Sequence, residues 1–277
     1  MKNEILCGDF FIISDTIPDQ HIDLVVTSPP YAEQRKNLYC GVPENEYPDW
    51  TVRWMEKCRR ILKPNASIAI VIRPHIQSGI ISDYVLKTRI AIRSAGWCEC
   101  EELIWIKPNS PPLGSLKRPR RAWESILWFS CNPNPYCDPK ANGSPSSRVG
   151  FESKKGVGQY KSGTSPAKDG IARCRDYVEI GTSGVDRAEE NTHPAQFPVG
   201  LASWIIRLLS PANGLILDPF VGSGSTAIAC IETGHDFIGV DVSEEYCAYA
   251  KKRVMTAKSG LQPQISAVQS LSSVNPS

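Results

Sequence analysis

Near its N-terminus the chain reads Asp23-Leu24-Val25-Val26-Thr27-Ser28-Pro29-Pro30-Tyr31. The apolar run predicts a buried strand of a parallel sheet, and the two prolines predict a rigid turn at its end. Ser28 and Pro29 each precede a proline, which restricts both to extended backbone conformations. We therefore expect the Ser28 hydroxyl and the Pro29 carbonyl to point in fixed directions at the carboxyl edge of the sheet, where open α/β sheets bind their ligands.

The chemistry of this turn suits the exocyclic amino group of a planar base. Acceptors on Ser28 and Pro29 can bind the two amine hydrogens and draw the nitrogen toward tetrahedral geometry, which frees its lone pair to attack an electrophile. Such stabilisation develops mainly in the transition state. Tyr31 adds a flat apolar face for stacking. A proline-rich turn that merely follows a core strand is the alternative interpretation of these residues alone.

A second motif lies near the C-terminus. An apolar strand ends at Asp218, residues 222–227 read Gly-Ser-Gly-Ser-Thr-Ala, and the next strand ends at Asp241. This spacing is typical of a dinucleotide-binding loop with a ribose-binding acid. Asp218 and Phe220, however, place a carboxylate and an aromatic ring where a pyrophosphate would sit, and both would instead attract a sulfonium cation. Only one further strand follows, so the rest of the sheet must come from upstream in a permuted order.

Composition limits the alternatives. The chain has 277 residues, 22% of them charged, with a net charge of +2, so contacts with nucleic acid must come from local patches. No apolar run is long enough to cross a bilayer and the N-terminus lacks a signal-peptide pattern, which predicts a cytoplasmic protein. The ten cysteines are scattered without a Cys-x-x-Cys pair, which favours free thiols over a metal site.

One segment is locally cationic. Residues 107–121 contain five lysines and arginines and no acid, with prolines that fix the loop's shape. A solvated loop is one interpretation, and a loop that contacts DNA phosphates is the other. The phosphate-binding candidates are Lys117, Arg118, Arg120 and Arg121. Upstream of this segment, residues 78–95 fit an amphipathic helix that ends at Gly96.

In this order, the motifs resemble those of the β-class amino-methyltransferases of DNA, the permuted group in which the catalytic motif precedes the cofactor motif. The resemblance implies S-adenosylmethionine as the cofactor and no metal. It implies catalytic roles for Ser28, Pro29, Pro30 and Tyr31. The cofactor contacts that it implies are Asp9, Thr27, His193, Pro194, Phe197, Asp218, Phe220, Gly222, Gly224, Ser225, Thr226 and Asp241.

The resemblance also implies the architecture. We expect an α/β, permuted Rossmann-like methyltransferase fold with a mostly parallel seven-stranded sheet, helices on both faces and an inserted target-recognition region. Residues 1–131 would form the catalytic half and residues 193–258 the cofactor half. Residues 132–192, rich in Gly, Ser, Pro, Lys and Arg, would be the insert, either a small module or a partly disordered segment. Residues 259–277 are predicted to be a disordered tail.

The implied reaction is methylation of the N4 amine of a cytosine flipped out of double-stranded DNA. The implied context is a restriction-modification system, with a cognate restriction endonuclease as a partner and no membrane association. Two alternatives stay open. N6 methylation of adenine would use the same residues, although the family's adenine enzymes mostly carry Asp or Asn in place of Ser28. A catalytically silent DNA-binding protein could also keep this fold.

Overall fold

The computed structural model describes residues 2–32, 41–110, 117–146, 170–182 and 197–271. A mixed sheet of eight strands forms the centre, and two short two-stranded sheets lie outside it. In chain order the strands are β1 (Glu4–Cys7), β2 (Ile22–Thr27), β3 (Leu62–Ile72), β4 (Ile76–Gln77), β5 (Ile80–Ile81), β6 (Cys98–Ile106), β7 (Trp123–Ser130), β8 (Ser144–Pro145), β9 (Ile171–Ala172), β10 (Tyr177–Glu179), β11 (Leu215–Asp218) and β12 (Asp236–Asp241). The α-helices are α1 (Phe10–Ile13), α2 (Tyr47–Ile61), α3 (Tyr84–Ser94), α4 (Val199–Leu209), α5 (Ser225–Thr233) and α6 (Glu244–Leu271).

The strand order of the main sheet is β1-β12-β11-β2-β3-β7-β6-β10. All neighbouring pairs are parallel except those of β7, which runs antiparallel to both β3 and β6. The mostly parallel, permuted sheet is thus confirmed, but the predicted count of seven strands is wrong. The eighth strand is β10, which pairs with β6 at one edge of the sheet. Its three residues are too few to show an alternating apolar pattern in the sequence.

The helices cover both faces of the sheet, as predicted. Helices α1, α2 and α3 pack in one apolar cluster and α4, α5 and α6 in the other. Along β3, Ile68 and Ile70 point into the first cluster, while Ala69 and Val71 point into the second. Burial on both faces explains why β2 and β3 read as uninterrupted apolar runs in the sequence.

Two predicted helix boundaries are corrected. The helix expected at residues 78–95 begins only at Tyr84, because residues 76–81 form the β4–β5 hairpin. Helix α6 spans Glu244–Leu271 and so continues past Lys258, after which the predicted tail begins; the prediction of disorder in that tail stays a prediction. Among the described residues, no helix combines the length and apolar composition of a membrane span.

The described parts of the predicted insert are built into the main domain. The backbone N–H of Asp138 donates to the carbonyl of Leu208 at 2.8 Å, and the Asn142 side chain donates to the carbonyl of Trp204 at 2.8 Å. On the other side of the gap, the carbonyl of Ile180 accepts from the Trp105 indole at 2.8 Å. Residues 147–169 and 183–192 of this region lie outside the described residues.

The position of a ligand-binding crevice follows from the topology. The connection after β2 runs through α2 on one face, and the connection after β11 runs through α5 on the opposite face. Strands β2 and β11 are neighbours, so the winding direction reverses between them. A crevice at the carboxyl ends of these two strands is the expected ligand site of such a sheet.

Candidate active site

A buried carboxylate occupies the crevice. Asp218 ends β11, and its side chain is 2% exposed. Thr27, the last residue of β2, donates its hydroxyl to Asp218 Oδ1 at 2.8 Å, and Thr226 donates to Oδ2 at 2.6 Å. The backbone N–H of Phe220 also donates to Oδ1, at 3.1 Å. These bonds fix the carboxylate and join the end of β2 to the glycine turn that opens α5.

Burial raises the pKa of Asp218 to about 6, against the lowering effect of its hydrogen bonds from Thr226 and Thr27. The carboxyl group is therefore mostly ionised at neutral pH, although its described hydrogen-bond donors are all neutral. A buried negative charge with only neutral partners is stabilised by a cationic ligand.

The glycine turn packs tightly against the last helix. Gly222 and Gly224 adopt φ values of +48° and +84°, in the region that glycine favours. A Cβ added at Gly224 would lie 3.1 Å from the Cβ of Ala250 in α6. The turn thus needs glycine at position 224 both for its backbone conformation and for the close approach of the helix.

A second carboxylate closes the turn from β12. Asp241 accepts from the backbone N–H of Gly222 at 2.9 Å and from that of Ser243 at 2.9 Å, one on each oxygen. Burial raises the pKa of Asp241, and these backbone donors oppose the rise. A carboxylate has about four acceptor positions, so Asp241 keeps capacity for a further donor such as a hydroxyl.

The short motif at Gly8 and Asp9 lies at the same edge. Strand β1 pairs with β12 so that Cys7 lies opposite Asp241, and the Gly8 N–H donates to the Asp241 carbonyl at 2.8 Å. Asp9 is the N-cap of α1, where its Oδ1 accepts from the Phe11 N–H at 2.9 Å. Asp9 therefore acts as a helix cap in this structure, while the predicted cofactor role of its exposed side chain stays a prediction.

Aromatic rings cluster around Phe220, two residues after Asp218. The Phe220 ring centroid lies 5.3 Å from that of Trp50, 5.6 Å from that of Trp54 and 6.5 Å from that of Phe10. The two tryptophans are four residues apart on α2 and thus share a helix face. Sequence reasoning selected Phe220 but missed both tryptophans, although their spacing next to the catalytic loop was the available signal.

On the other side of the crevice, Tyr31 is held by a network of charged residues. Its hydroxyl donates to Glu124 Oε2 at 2.9 Å. Lys107 donates to the other oxygen, Oε1, and Arg73 Nη1 lies 3.9 Å from that atom. The Lys107 ammonium also lies 4.1 Å from the centroid of the Trp105 ring. Glu124 is buried, so its charge is balanced by these cations rather than by water.

The network sets the protonation state of Tyr31. Burial raises the pKa of Tyr31 well above its ordinary value, and the Glu124 charge raises it further. The phenol therefore stays neutral and donates to Glu124. Burial lowers the pKa of Lys107, and Glu124 opposes this effect. Sequence reasoning counted Lys107 in the cationic segment and did not predict its contact with Glu124, because that contact depends on the antiparallel pairing of β6 with β7.

The remaining catalytic candidates lie where the sequence placed them. Ser28 is half-buried, Pro29 is buried and Pro30 is half-buried, immediately after Thr27 at the end of β2. Among the cofactor candidates, Ser225 is buried and begins α5. Phe197 is partly buried beside α4 and packs on the cluster that contains α4 to α6. His193 and Pro194 lie outside the described residues.

The cationic candidates line the same edge of the sheet. Lys117, Arg118 and Arg120 are exposed, while Arg121 is partly buried. Arg118 donates to the carbonyl of Gly79 and Arg121 to the carbonyl of Pro74, so two of the four also hold the β4–β5 hairpin in place. No cluster of three His, Cys, Asp or Glu side chains able to hold a metal occurs in the described part of the chain.

The fold and the paired strand-end motifs define an α/β methyltransferase. Residues 22–252 match the DNA methylase family of the N6/N4 type. The chain therefore belongs to this family and is a DNA methyltransferase.

Individual relatives agree with this assignment. The chain is 26% identical to the type II methyltransferase M.PvuII of Proteus hauseri over 90% of this chain and 82% of the relative. It is 28% identical to M.BglII of Bacillus subtilis, over 88% of this chain and 66% of that protein. Among solved structures, the PvuII DNA methyltransferase described as cytosine-N4-specific superposes with a TM-score of 0.71 at 23% identity, over 89% of this chain and 84% of that one. The M1.HpyAVI–SAM complex superposes with a TM-score of 0.60 at 21% identity, over 91% and 98%.

Proposed function

We propose that this enzyme transfers a methyl group from S-adenosylmethionine to the N4 amine of a cytosine flipped out of double-stranded DNA. The observation that carries the proposal is the 2.8 Å hydrogen bond from Thr27 to Asp218. It joins the Ser-Pro-Pro-Tyr turn of β2 directly to a buried carboxylate beside the glycine turn. A base at Ser28 and a cationic cofactor at Asp218 would therefore lie next to each other.

The described residues fit this cofactor. Asp218 and Asp241 are carboxylates with neutral partners, and Phe220 supplies an aromatic ring close to Asp218. Their charges would favour the sulfonium and α-amino cations, and the spare acceptor positions of Asp241 would bind the ribose hydroxyls. When bound, S-adenosylmethionine supplies an electrophilic methyl group. Asp218 and Asp241 would bind this cofactor, and their own hydrogen-bond donors are uncharged.

The described residues also fit a neutral base. The Ser28 hydroxyl and the Pro29 carbonyl would accept from the amine and raise the nucleophilicity of its nitrogen as the transition state forms. Tyr31 would stack on the base with its ring orientation fixed by the bond to Glu124. The base must leave the duplex to reach this buried turn.

Support for N4-cytosine over N6-adenine comes from Ser28. The family's adenine enzymes mostly carry Asp or Asn at this position, and the PvuII enzyme that superposes with this chain is described as cytosine-N4-specific. Both bases present an amine beside a ring nitrogen, so the acceptor pair fits either one. The names of the type II relatives support a restriction-modification context, and a cognate restriction endonuclease is part of the same proposal.

The test identifies the methylated nucleoside. The protein is incubated with unmodified genomic DNA and methyl-labelled S-adenosylmethionine, and the DNA is digested to nucleosides for chromatography and mass spectrometry. We expect N4-methylcytosine from the wild type and none from Ser28→Ala. N6-methyladenine would move the enzyme to the adenine class. If no S-adenosylhomocysteine forms on any unmodified DNA, the chain is a silent DNA-binding protein.

A further inference from the structure

A small apolar hairpin stands at the edge of the sheet. Strands β4 and β5 pair so that Ile76 lies opposite Ile81. Ser78 and Gly79 at the tip have φ values of +49° and +78°, the combination that a two-residue type I′ turn requires. We call residues 76–81 the isoleucine hairpin.

The isoleucines of this hairpin are unusually exposed. Ile76, Ile80 and Ile81 expose 39%, 72% and 59% of their surface. Ile76 and Ile81 lie on one face of the hairpin and Ile80 lies on the other, because successive residues of a strand point to opposite faces. The hairpin therefore exposes large apolar side chains on both faces, and exposed apolar surface rimmed by polar residues marks interaction sites.

The isoleucine hairpin follows the strand next to the catalytic turn. In the register of β2 with β3, Thr27 lies opposite Ile70, and β3 ends two residues later. The hairpin begins four residues after that end, so its base lies within about 14 Å of it. Arg73 in this connection approaches Glu124, the carboxylate that binds Tyr31, at 3.9 Å. The hairpin therefore projects from the edge at which the base is proposed to bind.

Side-chain contacts hold the hairpin in one position. Arg118 donates to the Gly79 carbonyl at the tip, and Arg121 donates to the Pro74 carbonyl at the base. The Ser82 N–H donates to the His75 carbonyl at 2.9 Å, and the His75 ring stacks on Tyr84 with centroids 5.6 Å apart. An isolated two-stranded hairpin is marginally stable in water, so these contacts present the isoleucines at a defined place.

The charge around the isoleucine hairpin is positive. Lys117, Arg118 and Arg120 are exposed next to it. Of the neighbouring acids, Asp83 pairs with Lys87 at 3.0 Å, and Glu44 contacts His75 at 3.3 Å and accepts from the Ser82 hydroxyl. An apolar tip flanked by cations complements the stacked bases and the phosphates of DNA, whereas a protein partner would need matching acids.

We propose that the isoleucine hairpin inserts into duplex DNA beside the target base and fills the space that the flipped base leaves. Isoleucine is one of the apolar side chains that enter between base steps, where burial of their surface offsets the cost of unstacking. The flanking cations would hold the phosphates on either side. This inference rests on the proposed function in taking duplex DNA as the substrate.

The test compares three variants of the full chain. Ile80→Ala/Ile81→Ala removes the apolar volume, Ile80→Val/Ile81→Val keeps most of it, and Ile90→Ala is a control on α3 with 57% exposure. The readouts are kcat/KM on unmodified genomic DNA, binding to a labelled unmodified duplex, and calorimetric affinity for S-adenosylmethionine. We expect the alanine pair to lower kcat/KM and duplex affinity about tenfold with unchanged cofactor affinity. The valine pair and the control should stay within about twofold.

A duplex with a mismatched target base distinguishes insertion of the isoleucine hairpin from contact with the DNA surface alone. Once sequencing of the methylated DNA gives the target sequence, a duplex with a mismatch opposite the target base should shrink the defect of the alanine pair to less than about twofold, because an unpaired base leaves the stack at lower cost. An undiminished defect on the mismatched duplex would overturn the insertion. So would wild-type behaviour of the alanine pair on both readouts, or a dimer in sedimentation that the alanine pair abolishes, which would assign the patch to a second copy of the chain. Hairpin-dependent duplex binding without methyl transfer would instead overturn the proposed function alone.

Discussion

The proposed cofactor side and the proposed base side of the crevice are held in place by different kinds of interaction. Asp218 and Asp241 are bound by threonine hydroxyls and backbone N–H groups, which are neutral donors supplied by turns and strand ends. Tyr31 is bound by a network in which Glu124 meets Lys107 and Arg73. Neutral donors leave negative charge for a cation, whereas the network at Tyr31 sets two cations against one carboxylate and leaves no negative charge there. The difference matches a cationic cofactor on one side and an uncharged base on the other.

We expect the largest effect on turnover from a substitution of Ser28, the proposed acceptor for the amine of the base. Ser28→Ala removes the hydroxyl that would accept from the amine in the transition state. We expect kcat to fall at least about 100-fold, the typical loss for one such group. The affinity for S-adenosylmethionine should stay within about twofold, because Ser28 does not belong to the Asp218 cluster. Wild-type turnover at saturating DNA would remove Ser28 from the mechanism.

A substitution on the proposed cofactor side should instead weaken the binding of S-adenosylmethionine. Asp241→Ala removes the proposed acceptor for the ribose hydroxyls, and we expect cofactor binding to weaken by about 1.5–3 kcal/mol. Calorimetry measures the loss. Asp236→Ala, at the opposite end of the same strand, is the matched control and should bind the cofactor normally. Equal affinities of the two variants would contradict the assignment of Asp241.

A milder change tests whether the charged network acts through Tyr31. Glu124→Gln keeps an acceptor for the Tyr31 hydroxyl but leaves Lys107 and Arg73 without a carboxylate. We expect about tenfold lower turnover with unchanged cofactor affinity. In a Tyr31→Phe background the same substitution should add little, because the route through the phenol is already lost. Additive effects in this double-mutant cycle would show that Glu124 acts independently of Tyr31.

The affinity for S-adenosylmethionine should also depend on pH, through the carboxyl group of Asp218. Burial raises the pKa of Asp218 to about 6, so the folded protein holds a proton there between about pH 4 and 6 that the unfolded chain has released. Protonation removes the charge that favours a cation. Cofactor affinity should therefore fall about tenfold from pH 7 to pH 5. In Asp218→Asn the calorimetric titrations should show a flatter profile, and an unchanged slope would assign the pH dependence to another group.

The sequence predicted the residues whose roles depend on local pattern. Apolar runs that end on Thr27, Asp218 and Asp241 located three adjacent strand ends, because parallel strands buried on both faces read as uninterrupted apolar segments. The glycine turn was predictable because the positive φ of Gly224 and its contact with Ala250 leave no space for another residue.

Features that depend on pairing between distant segments were not predictable. The network of Tyr31, Glu124 and Lys107 depends on the register of β7 with its two antiparallel neighbours, β3 and β6. No local sequence pattern encodes that register. The three-residue strand β10 shows no periodicity, and its position next to β6 depends on tertiary contacts. The sequence pattern predicts the start of a helix at residue 78, inside the hairpin of residues 76–81, because Ser78 and Gly79 specify a tight turn only when both φ values are positive.

Removal of the hydrogen bond from Thr27 to Asp218 is the most direct test of whether the two sides of the crevice form one active site. Thr27→Val removes the donor with little change in shape, and Thr27→Ser keeps it. Calorimetry gives the affinity for S-adenosylmethionine, and single-turnover kinetics with saturating cofactor gives the rate of methyl transfer. We predict that Thr27→Val lowers both quantities about fivefold, the size of one net hydrogen bond, while Thr27→Ser stays close to wild type. A loss in only one of the two quantities would contradict the account, because the bond would then belong to one side of the crevice alone.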